Sequence, residues 1–73
     1  MERILPGSKV LARSAFGDLL PRRAVTGVVM GRDFQVVLVC SEQEWEAAEA
    51  EGREPEGIAW PAEDVSLTEH AHA

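Results

Sequence analysis

The 73 residues hold one small domain, whose unfolded surface is only about 60% buried on folding, and the single cysteine, Cys40, excludes a disulfide within the monomer. The net charge of −6 is split, with +3 over residues 1–40 and −9 over residues 41–73, and this overall acidity argues against extended nucleic-acid binding, which draws its affinity from phosphate contacts. No apolar run is long enough for a signal peptide or a membrane span, and the cysteine usage fits the expectation of a cytoplasmic protein.

In chain order, Pro6-Gly7 breaks the opening segment, and "SKVLAR" follows as a short strand with Val10 and Ala12 on one face. "SAFGDLLPRR" reads as a loop, because Gly17-Asp18 signals a turn and Pro21 opposes regular structure. Its Phe16, Leu19 and Leu20 are apolar enough to be expected to fold back over the core. "RAVTGVVMG" is a strand whose central Gly27 marks a bulge or a sharp bend. "GRD" is a tight connection into "FQVVLVC", the strongest strand, and the two strands form an antiparallel hairpin. Phe34, Val36, Leu38 and Cys40 alternate with Gln35, Val37 and Val39, so both faces of this strand need cover. With only four aromatics in the chain, the core must rely on Val, Leu and Ile, and Cys40 reads as one more small buried side chain.

"SEQEWEAAEAEG" is a helix over about 42–51. Ser41 is the N-cap, Glu44 at N3 completes a capping box, and Gly52 is the C′ residue. Trp45, with Ala48 one turn on, is expected to pin this helix over the hairpin. "REPEG" connects to a brief strand, "IAW". "PAEDV" gives one turn of 3₁₀ or α-helix started by Pro61, "VSL" closes the fold, and residues 69–73 form a frayed tail after a domain spanning 1–68. The fold class is therefore α+β and β-rich, a small antiparallel barrel or curled sheet with one short inserted helix.

The stretch "GIAWPAEDV" resembles the segment that closes SH3-like small barrels, where a glycine, an aromatic and a proline precede a 3₁₀ turn and a valine follows it. The resemblance covers residues 8–68. It implies that Gly57 permits a turn, Trp60 plugs the core, Pro61 starts the 3₁₀ turn and Val65 opens the last strand. The helix at 42–51 would be an insertion. The tyrosines that line a proline-peptide groove in that family are absent, so proline-rich peptide recognition is not implied. A second stretch, "VVMGRDFQVVLVCSEQEWEAA", resembles the hairpin and helix of Phd/YefM-type antitoxins. That likeness implies the alternative, a dimeric repressor that binds its operator through a basic N-terminal face and neutralises a partner toxin.

Candidate chemistry is sparse. The carboxylates cluster on the helix with no second group set for acid–base work, so no catalytic residue and no cofactor are expected. His70 and His72 on a chain end make a poor metal site, and none is expected. Arg13, Arg22, Arg23 and Arg32 are candidates for one basic patch binding an acidic partner or, less expectedly, a nucleic-acid backbone through the Arg22/Arg23 region. Trp45 and Trp60 are the large flat anchors that suit a protein interface. The expected function is a non-enzymatic interaction or accessory module for a protein partner, monomeric or weakly dimeric.

Overall fold

The computed structural model describes residues 3–68, so the two histidines and the tail at 69–73 lie outside the described residues. Over that range the chain runs β1 (Lys9–Arg13), β2 (Leu19–Ala24), β3 (Val29–Met30), β4 (Gln35–Cys40), α1 (Glu42–Glu51), β5 (Ile58–Pro61), a 3₁₀ turn (Ala62–Asp64) and β6 (Val65–Leu67). All strand pairings are antiparallel, in the order β3-β4-β2-β1-β6, with β5 on the other edge of β4. The result is a curled half-barrel sheet with one short helix, compatible with a small β-barrel fold.

Register fixes which side chains face the inside of the curl. Val10 and Ala12 alternate inward on β1, and their cross-strand partners follow them: Arg22 and Leu20 on β2, Leu67 and Val65 on β6. On β4 the inward set is Val37 and Val39, opposite Trp60 and Ile58 of β5. Val10, Ala24, Val37, Val39 and Val65 form the buried cluster, with Ile4, Trp60, Ala62 and Leu67 packed against it. The core is thus built of valine and alanine. Of the Val, Leu and Ile expected to fill the interior, valine does so, while Ile4 and Leu67 only pack against the cluster and Ile58 is exposed.

The segment expected to be a loop is half of a hairpin. Residues 19–24 pair with β1 along their whole length, with Leu11 opposite Pro21. Ala24 N–H donates to Ser8 O at 2.9 Å and Ser14 N–H to Asp18 O at 2.8 Å, so the bonded pairs fall on even-numbered residues. Pro21 therefore occupies a non-bonded position, where its missing N–H faces away from β1, and the pairing of β2 with β4 begins only at Arg23. Phe16 does not fold back over the core. It is 91% exposed in the turn at 14–18, and Leu19 is exposed because it pairs with Arg13 on the outward face of β2, whereas Leu20, opposite Ala12, turns inward.

Between β2 and β3 the four residues 25–28 lie opposite only Val37 and Leu38 of β4, since Ala24 pairs with Val39 and Val29 with Val36. This is the bend expected at Gly27, and a Cβ there would stand 2.8 Å from Ile4 O. The hairpin then turns through 31–34, closed by Gly31 N–H donating to Phe34 O at 2.9 Å. Phe34 belongs to that turn rather than to the strand and is exposed.

Helix α1 has the expected ends. Ser41 Oγ accepts from Glu44 N–H at 3.0 Å. Left-handed Gly52 (φ 69°) donates its N–H to Ala48 O and Glu49 O, and Arg53 N–H also reaches Ala48 O. The capping box is only half made: the Glu44 carboxylate turns instead to Arg53 Nη1 at 2.6 Å and Glu56 N–H at 3.0 Å. The helix packs against β2 rather than over the β3–β4 hairpin, because Trp45 lies against Gly7 and Arg23.

Candidate functional site

Strand β5 carries the site. Opposite the odd residues of β4, Ile58 and Trp60 turn into the curl while Ala59 and Pro61 turn outward. Pro61 again takes a non-bonded position, opposite Val36. This follows because Leu38 O, on an even residue, accepts from Val25 N–H on the other edge of β4. Ile58 is 69% exposed, and Trp60 is half-buried against the core cluster. Trp60 Nε1 donates to Arg13 O at 2.9 Å, tying β5 to the end of β1 beyond the last β6 pair.

Two open grooves flank this ridge and share Ile58 and Trp60 as walls. One, of about 430 Å³, lies past the end of β4 and adds Arg22, Cys40, Glu44 and Glu56. The other, of about 400 Å³, lies between β5 and the β1–β2 hairpin and adds Arg13, Ser14, Pro61 and Asp64. Each groove thus holds an apolar wall, one arginine and at least one acid.

The closing segment works through distances more than through turns. Gly57 does not have a positive φ; a Cβ there would lie 3.0 Å from Val25 Cγ2 and 3.2 Å from Leu38 Cβ, so its role is close approach. Pro61 ends β5 and caps the 3₁₀ turn from one position outside it, with φ −55° and ψ 132°. Val65 is buried at the start of β6.

The four arginines named from the sequence do not share a face. Arg22 points into the curl, where its Nη1 donates to Pro21 O at 2.7 Å, whereas Arg23 points outward. Arg23 is occupied: its guanidinium stacks 4.9 Å from the Trp45 ring centroid, bonds Gly7 O at 3.0 Å and pairs with Glu42 at 2.8 Å. Arg13 lines the second groove, and Arg32 is exposed in the β3–β4 turn. Ile58 escaped the sequence reading because "IAW" is too short to show which residue faces inward; only its pairing with β4 decides that.

Burial pushes the Cys40 thiol up, with Glu44 adding to the effect, so it stays protonated and a poor nucleophile. Hydrogen bonds from Arg53 and then from Glu56 N–H hold the Glu44 carboxyl below the usual range. Among the described residues no cluster of His, Cys, Asp or Glu is arranged to hold a metal ion, and no helix is long and apolar enough to cross a membrane. No protein-family model matches the chain, and neither a curated protein nor a solved structure does.

Proposed function

We propose that the chain is a small, non-enzymatic, SH3-like interaction module that binds a protein partner through the Ile58–Trp60 ridge. The SH3-like reading is supported by the strand order around the curl, with the 3₁₀ turn between β5 and β6. The observation that carries the function is an isoleucine 69% exposed beside a half-buried tryptophan, at the junction of two grooves. Large apolar anchors in a concave setting, rimmed by charges, are what hot spots consist of. The lone, protonated Cys40 suits a reducing cytoplasm.

Side-chain docking is favoured over strand addition here, because Pro61 removes a donor from the outward edge of β5. Arg22 and Arg23 diverge and Arg23 is held by Trp45 and Glu42, which supports a protein-binding module over an operator-binding repressor. The test is affinity capture with the intact domain and with Ile58→Asp, both melting at the same temperature. A partner held by the wild type and lost by the variant is expected; equal capture by both sinks the ridge as the binding surface.

A further inference from the structure

The edges of the sheet differ in how they are guarded. On β2, residues 19–22 pair with no described strand on the β4 side, and Pro21 removes a donor there. On β5 the outward edge is interrupted by Pro61. Strand β3, at one end of the sheet order, carries no proline and no charge. Gly31 N–H bonded to Phe34 O makes Met30 opposite Gln35 a non-bonded pair, so the backbone N–H and C=O of Met30 point away from β4. Around that edge, which no other strand among the described residues pairs, Val28, Val29, Met30 and Phe34 are all exposed, Met30 by 74%. An unguarded apolar edge of this kind is a template for another strand.

Charge selects the occupant. Residues 24–31 contain no charged side chain, and Arg32 and Asp33 of the adjoining turn cancel, although the whole chain carries −6. Two copies of so acidic a chain repel least where each presents a neutral surface. A strand of marked charge would find nothing on β3 to pair with. Antiparallel pairing also sends the two turns to opposite ends, so that Arg32 does not meet its counterpart. A core whose largest fully buried side chains are three valines gains from the added cover.

We infer that β3 is a self-association edge, along which a second copy of this chain pairs antiparallel about a two-fold axis to continue the sheet. The surface is small, so the dimer is weak and forms at roughly 10 μM to 1 mM. Sedimentation equilibrium over that range tests it with the full chain. The wild-type mass should rise from 8.0 kDa toward twice that value, while Met30→Lys weakens association at least tenfold and keeps the wild-type melting temperature in dilute solution. Exchange of the Met30 amide should slow with concentration in the wild type. If Met30→Lys fails to fold, Val28→Lys gives the same reading, and Ile58→Asp should dimerise as the wild type does. A wild type that stays at 8.0 kDa throughout, or edge variants that dimerise like it, would overturn the inference.

Discussion

Trp60 and Trp45 are both half-buried, yet they hold the molecule together by different physics. Trp60 lies on the concave side, packs against the valine cluster and spends its only polar atom on Arg13 O, across the gap that the strands leave unclosed. Trp45 lies on the convex side, against Gly7 and under the guanidinium of Arg23, which is itself held by Gly7 O and Glu42. The first contact is mainly apolar burial. The second is a cation–π stack in partial solvent, worth about 0.5–1 kcal/mol at exposed sites. Ring size alone does not tell where a tryptophan matters; what lies beneath it does.

The strongest way to break this contrast is Trp60→Ala, which should cost about 3 kcal/mol, read by urea unfolding, because the valine core has no other large ring to close it. Unchanged melting with lost partner capture would make Trp60 an interface residue instead. Gly57→Val should cost about 2 kcal/mol in the same assay, since the added atoms meet Val25 and Leu38 at close range. Arg23→Ala should cost about 1–2 kcal/mol through loss of the stack, the bond to Gly7 O and the pair with Glu42, with part of the loss disappearing at high salt. Trp60→Phe keeps one aromatic ring but loses the N–H and part of the indole's packing, so about 1–2 kcal/mol is expected.

The smallest effect is a pH dependence on the helix side. The Glu44 carboxyl is held below the usual range by Arg53 and by Glu56 N–H. Its contribution is therefore fully present above the ordinary carboxylate range and is lost as pH falls through the lowered value. Thermal melts from neutral to acid should show a wild-type advantage over Glu44→Gln that narrows on acidification. An advantage that stays constant would remove Glu44 as the clamp on the connection to β5.

Much of the fold was legible in the residues. Ser41 and Gly52 bounded the helix because capping depends on single residues a few positions apart, and the alternation in "FQVVLVC" gave the central strand. Gly27 marked the bend for a similar local reason. The first hairpin is hidden in the sequence because Pro21 opposes a strand only where its N–H is needed, and that depends on register with β1. Hydrophobicity alone points Phe16 and Leu19 at the core, but a hairpin tip keeps Phe16 in solvent and the register with β1 turns Leu19 outward. Of the candidate site, Trp60 is legible in the sequence but its neighbour Ile58 is not, and Arg22 and Arg23, adjacent in sequence, part because neighbouring strand residues face opposite ways.

By itself, then, the sequence determined the local elements: strand periods, helix caps, the bend at Gly27 and the 3₁₀ turn after Pro61, all set by interactions among near neighbours. Tertiary structure decided the rest. Pairing β4 with β5 turned Ile58 and Trp60 toward a shared pair of grooves, pairing β1 with β2 gave Pro21 a harmless position, and the curl brought the Trp60 indole to Arg13 O, 47 residues away. Those outcomes depend on register between distant segments, and a one-residue slip in any of them would reverse which side chains face the core.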